Sequence, residues 1–495
     1  MESAFKRFIR DVGWSFASLG FAAAANFILR IFLARYLGAA DLGLYSLSFA
    51  FYSFGLVLSG FGIGSALTKY TAQYRGDSSR LRSLLSSGRA ISLASGCLMG
   101  IMLYLLSPLI ADRLFHMPEM RNLLRIVALA FPCIALEKAS LGFLNGLRRM
   151  RAFAIINIGQ NVLVVVLTAV LVVLGAGVAG AVLALVLPVV LFSVLSLYPI
   201  RGFISKPNLA QHSTEIKAMM SFGLYVVLAS AISATQGQVD TFMVGYYMNT
   251  TEVGYFAAAL MVALGMGLPS SAIQMITGPD IAGYWGNRDV KSIESMVNRV
   301  MKLTAVFMIP LVFVVAFFAN ELSTIVFGDG FAPAGSPLQI LMVGTLFGSV
   351  QTSVGSALSS TAFVKVLFKL NSMMLISSII MNILLIPHFG VVGAAVSNST
   401  PIVVAALLCF YFMHRLIKIR IDWAWFARLL LFTSLLAGVT YAAGLVISLY
   451  VCVPVATVIL IIVLYKRFMS IEDIAALRSA MSKIIRRDKK YKFKF

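Results

Sequence analysis

Apolar stretches of about 20 residues, the length needed to cross a bilayer as a helix, follow one another along nearly the whole of this chain. The first covers residues 12–34 and the last 448–465, and about fourteen can be counted before a basic tail begins. A chain so patterned folds as helices in lipid. Hydrocarbon offers no hydrogen bonds, so each crossing must satisfy its own backbone. Composition agrees: 60% of the 495 residues are hydrophobic and 12% are charged. The first stretch is too long for the apolar region of a cleaved signal, and other spans follow it directly, so it reads as a retained helix. Cys97, Cys133, Cys409 and Cys452 all fall in apolar helices at spacings that suit no metal site, and they read as inert thiols.

The net charge of +21 is a topology signal. Basic residues are retained on the cytoplasmic side during insertion. Here they fall on alternate connections: Lys6 to Arg10, Lys69 to Arg89, Lys138 to Arg151, Arg201 to Lys217, Arg288 to Lys302, Lys365 and Lys369, Arg415 to Arg428, and the tail. All but five of the 40 Lys and Arg residues sort to that side; the exceptions are Arg30, Arg35, Arg113, Arg121 and Arg125. Both termini are therefore expected in the cytoplasm, with the chain in the cell membrane. Basic residues dispersed over many short loops do not make a nucleic-acid surface.

The chain also repeats itself. Leu33-Ala-Arg-Tyr-Leu-Gly-Ala-Ala-Asp-Leu-Gly-Leu-Tyr45 aligns with Met243-Val-Gly-Tyr-Tyr-Met-Asn-Thr-Thr-Glu-Val-Gly-Tyr-Phe256. Gly177-Val-Ala-Gly-Ala181 aligns with Gly390-Val-Val-Gly-Ala394. The offset is about 210 residues, six spans per repeat, so the halves share one orientation, as in transporters with parallel repeats. The expected division is an N-terminal lobe with its linker at 1–208, a second lobe at 209–420, an extra helix pair at 421–465 and a tail at 466–495. In the tail, Ser470 and Asp473 suit a helix start. Ile471, Ile474, Leu477, Met481 and Ile484 share a face, followed by a basic cluster. This reads as an amphipathic segment on anionic headgroups, or alternatively as a solvated tail.

Ionisable residues inside the hydrocarbon are costly and mark cavities or partners. Arg30 in the first span and Asp240 in the seventh occupy equivalent places of the repeat. Gln236 and Gln238 precede Asp240; Asn157, Gln160 and Asn161 open the fifth span; Lys365 and Asn371 open the eleventh, which also carries Asn382. Glu137 lies near an inner helix end. Each has a plainer reading: Arg30 snorkelling to headgroups, Asp240 hydrated at a helix end, the amides bonding helix to helix. Gly60, Gly62, Gly64, Gly96 and Gly100 suit close helix packing.

The run Leu33-Ala-Arg-Tyr-Leu-Gly with Gly43-Leu-Tyr45, then Gly60-Phe-Gly-Ile-Gly and Lys69-Tyr with Gln73-Tyr74, resembles the N-terminal signature of the polysaccharide transporter family. These are the Wzx-like flippases of the multidrug/oligosaccharidyl-lipid/polysaccharide superfamily. Asp240-Thr-Phe-Met-Val-Gly with Val253-Gly-Tyr255 is similar to that family's second-half pattern. The resemblance implies an all-α, two-lobed, V-shaped carrier that turns a polyprenyl-linked oligosaccharide from the cytoplasmic to the outer leaflet by alternating access. It implies no cofactor beyond a coupling proton or sodium ion, and glycan-assembly proteins as neighbours. Arg30 would then meet phosphate or acidic sugar, and Asp240 would balance Arg30 or bind the driving cation. A multidrug/cation antiporter of the same superfamily, a membrane glycan-assembly enzyme and a non-transporting scaffold are the alternatives. Arg30 repels cationic drugs, and short outer loops without an Asp-x-Asp leave an enzyme little to work with.

Overall fold

A computed structural model describes residues 4–205, 213–361 and 363–469, and among these it is helical, with no strand. The principal helices are α1 (Ala4–Leu58), α2 (Ile63–Gln73), α3 (Ser78–Pro108), α4 (Met120–Gly146), α5 (Met150–Leu171), α6 (Gly177–Leu195) and α7 (Ser213–Tyr247). They continue with α8 (Thr250–Gly286), α9 (Val290–Phe327), α10 (Gly335–Ser359), α11 (Val364–Phe412), α12 (Trp423–Gly444) and α13 (Leu449–Val463). The amphipathic tail expected from Ser470 onward lies outside the described residues.

Among the described residues, eleven helical stretches are long and apolar enough to cross a membrane. Three of them run 54, 46 and 53 residues, far beyond one crossing at about 1.5 Å per residue. Each is broken by glycine. Gly38 (φ 80°, ψ −176°) divides α1, Gly177 (φ 55°, ψ −147°) separates α5 from α6, and Gly390 (φ 57°, ψ −137°) divides α11. The described residues thus hold the fourteen crossings expected. Gly177 and Gly390 adopt nearly the same backbone conformation, one that a Cβ makes costly. The second repeat motif therefore encodes one sharp turn, used twice.

The first repeat motif encodes a contact. A Cβ on Gly43 would overlap the carbonyl of Thr250, and a Cβ on Gly254 would overlap the carbonyl of Ala39. These four residues are two equivalent pairs, so the contact is self-complementary, as at a two-fold interface. Close approach of helix backbones through small residues is a main source of association in lipid, where the hydrophobic effect no longer drives it.

Two compact units are present. The first comprises Met1–Ala258, Ser323–Ala332 and Ile379–Ala394; the second comprises Ala259–Leu322, Pro333–Ser378 and Ala395–Phe495. In the first, α3 and α4 pack through Gly96 and Gly100: a Cβ on these would come within 2.8 Å of the carbonyls of Phe131 and Ala128. Gly64 and Gly142 bring α2 against α4 in the same way. Arg35 donates to the carbonyls of Val326 (2.9 Å) and Ile325 at the end of α9, capping it. In the second unit Ile293, Met301, Cys409, Met413 and Leu460 are fully buried in one cluster. Lys302 pairs with Asp422 at 2.8 Å, and the Trp425 indole donates to the Phe468 carbonyl at 3.2 Å. Of the four free cysteines, Cys409 is buried and the others are half-buried.

Candidate functional site

The polar residues of the first unit sit on helices that otherwise present apolar side chains, and their neighbours define what each can do. Arg30, half-buried on α1, stacks its guanidinium over the Phe49 ring at 4.9 Å, with buried Tyr45 in electrostatic range. Phe49 and Tyr45 belong to the same helix beyond the break at Gly38. That break turns the two halves of α1 so that they face each other. A planar cation on an aromatic face is held by the ring quadrupole while its outward N–H donors stay available.

Asp240 on α7 is 4% exposed. Its Oδ1 accepts a 2.6 Å hydrogen bond from the Asn382 side-chain amide on α11, which is itself fully buried. The plainer reading for Asp240, a hydrated carboxylate at a helix end, does not fit this burial. Gln236 and Gln238 on the preceding turn are half-buried.

On α5, Asn157 and Asn161 donate along their own helix, to the carbonyls of Phe153 (2.9 Å) and Asn157 (2.8 Å). Gln160 instead reaches across to α4 and donates to Glu137 Oε2 at 3.4 Å. Glu137 does not lie near a helix end. It precedes the last residue of α4, Gly146, by nine positions, and it is 4% exposed. Lys365 and Asn371 belong to the second unit, where both are exposed.

The structure thus joins Asp240 to Asn382 and Gln160 to Glu137, and it gives Arg30 an aromatic seat. Three features escape a reading of single spans. Asn382 was visible as a polar residue in an apolar run, but its partner was not. Phe51, Phe54, Phe115 and Phe242 form a cluster with ring centroids 4.9–6.2 Å apart, drawn from α1, the connection between α3 and α4, and α7. Lys69 lies 4.3 Å from the Phe222 ring on α7, beside a tight approach of Gly62 to the Gly223 backbone. Phenylalanine is common everywhere in the chain, so neither aromatic contact carries a signal in sequence. No cluster of His, Cys, Asp and Glu able to hold a metal ion occurs among the described residues.

Fourteen crossings, an internal repeat and buried polar residues on membrane helices define a multi-pass membrane protein of transporter type. The chain belongs to the polysaccharide biosynthesis protein family, whose sequence profile it matches over residues 8–279. The MatE profile matches residues 226–386. The "Probable low-salt glycan biosynthesis flippase" of Haloferax volcanii is 22% identical over 441 residues, 89% of each chain. The lipid III flippase of Escherichia coli is 31% identical over 135 residues, 27% of this chain and 32% of that one. Among solved structures, the lipid II flippase MurJ in an inward closed conformation has the same fold. Its TM-score is 0.73 at 16% identity, over 92% of this chain and 98% of that one.

Proposed function

We propose that this protein is a flippase for a polyprenyl-linked oligosaccharide, moving it from the cytoplasmic to the outer leaflet of the cell membrane by alternating access. The observation that carries the reading is Arg30: a guanidinium on a membrane helix, seated on Phe49 with donors to spare. A phosphate or an acidic sugar is the natural partner for that fork, and a cationic drug is not. Family membership and the flippases among its relatives support the same cargo class.

In this reading the polar head travels between the repeat lobes, 1–208 and 209–420, while the polyprenyl tail stays in lipid. Arg30 holds phosphate. Gln236, Gln238, Asn157, Asn161, Lys365 and Asn371 offer hydrogen bonds to sugar hydroxyls as the lobes exchange access. The Asp240 and Asn382 pair is the candidate for the coupling cation, a carboxylate and an amide oxygen being suitable hard ligands. Both termini face the cytoplasm, and the basic tail lies against anionic headgroups beside the glycan-assembly proteins that supply the cargo.

The test is translocation in vesicles at equal levels of inserted protein. Arg30→Ala is expected to lower transport of an anionic lipid-linked glycan about ten- to hundred-fold, the worth of a charge-assisted hydrogen bond. Arg30→Lys should recover part of it, lacking the bidentate fork. Asp240→Asn should change the dependence on the ion gradient. Full transport by Arg30→Ala would overturn the assignment of the cargo head to this residue.

A further inference from the structure

Glu137 is a carboxyl group with an incomplete set of partners in the middle of a membrane helix. It lies nine positions before Gly146, about 13 Å of helix. Oε2 accepts the 3.4 Å hydrogen bond from Gln160 on α5, and Oε1 has no hydrogen-bond partner among the described residues. No basic nitrogen forms an ion pair with it among those residues. The titratable and charged groups near it are Tyr52 on α1, Lys138 beside it on α4, and Cys133 one turn earlier on its own face. Lys138, the next residue along, projects from a different part of the helix surface, over Gly60 and Gly64.

An ionised carboxylate held there by one long amide bond is costly. Burying an unpaired charge is far dearer than burying a neutral polar group, and mutated partners of buried charges show it. A neutral carboxylic acid tolerates the site. Gln160 is suited to both forms: its NH2 donates to a carboxylate, and its amide oxygen, after a flip, accepts from a carboxylic O–H. Admitting water to the α4 and α5 surface relieves the cost of ionisation. Burying that surface again requires the proton back. A group whose proton affinity differs between two conformations ties the conformational equilibrium to the proton by necessity.

We propose that Glu137, supported by Gln160, is a proton-binding site, loaded when its surroundings are hydrated and carried neutral through the closed state. The proton enters from water on one side and leaves to water on the other, with no other reactant. As the driver of transport this inference rests on the flippase reading; as a binding site it does not. It is separate from the Asp240 and Asn382 pair, which lies on α7 and α11 and suits a metal cation.

Two measurements on the full chain test it. The first is infrared difference spectroscopy in phosphatidylethanolamine–phosphatidylglycerol vesicles at neutral pH, wild type against Glu137→Gln, on protein that elutes as a single inserted species. The expected result is a protonated-carboxyl band present in wild type, absent in Glu137→Gln and retained by Asp240→Asn. Absence of the band in wild type overturns the proposal, whatever the cargo is.

The second follows a polyprenyl-pyrophosphate-linked N-acetylglucosamine bearing a quenchable fluorophore, with and without a pH gradient. Glu137→Gln, which keeps the amide contact and the neutral form, should bring the ratio of the two rates to about one. Glu137→Asp should restore part of the stimulation. Stimulation undiminished in Glu137→Gln overturns the coupling role. A wild-type protein that moves this probe at no measurable rate counts against the flippase reading, and the infrared band still decides the proton site.

Discussion

At Gly43 and Gly254 the absence of a side chain is the functional property of the residue. A single methyl at either position would meet a carbonyl of the opposing helix, Thr250 or Ala39, and carbonyls in a helix backbone cannot step aside. Overpacking of this kind costs about 1–3 kcal/mol in well-packed cores. Gly43→Ala and Gly254→Ala are therefore expected to lower the thermal midpoint of the solubilised protein. Gly76→Ala, where no atom lies within 4 Å of the added carbon, should leave it unchanged. Midpoints followed by tryptophan fluorescence give the comparison; equal values for Gly254→Ala and Gly76→Ala would refute the close contact.

In the second unit one ion pair joins the start of α12 to α9. Asp422 caps α12 by accepting from the Trp425 backbone N–H at 3.1 Å, and its other oxygen takes the Lys302 ammonium from α9. Asn298 and Glu294 on α9 bond the backbone of the same connection, so α9 and α12 are joined by a strap of polar contacts. The hydrogen bond from Lys302, with the backbone bond from Trp425, holds the Asp422 carboxyl below the usual carboxylate range. A carboxyl depressed in the folded state adds stability above its ordinary value and loses it as pH falls through the folded value. Both side chains are substantially exposed, so the pair is worth only about 0.2–1 kcal/mol. Asp422→Asn should lower the thermal midpoint slightly at neutral pH. The gap to wild type should close once the pH drops below the ordinary carboxylate range. A gap independent of pH would show that the capping bond, not the charge, is what matters.

For the molecule as a whole, the charge bias predicts which connections face out. Single cysteines introduced at Ala40 and Asp329, both exposed, should react with an impermeant maleimide from outside intact cells, and those at Arg80 and Arg420 should not. The opposite pattern would invert the topology. Four of the five basic residues that break the bias are accounted for by packing. Arg30 lies over Phe49, Arg35 caps α9, Arg121 pairs with Asp112, and Arg125 lies 5.2 Å from the Tyr104 ring. A positive charge held by a ring, a carboxylate or a helix end is a structural part rather than a topological signal.

The crossings, the repeat and the positions of its glycine turns were legible in the amino-acid order because each is a local property. Length and hydropathy set a span, and glycine at a break reflects the backbone of that one residue. Charge bias acts loop by loop. The polar residues that matter were also legible, as rare interruptions in apolar runs. Their partners were not. Asp240 and Asn382 lie 142 residues apart, and Glu137 meets Gln160 only because α4 and α5 turn particular faces together. In a soluble protein the apolar stripe of a helix announces the buried face. In lipid both faces are apolar, so the pattern is silent about which one meets protein. Only the packing of the folded chain decides whether an intramembrane charge stands on an aromatic ring, shares a hydrogen bond or is left half-satisfied.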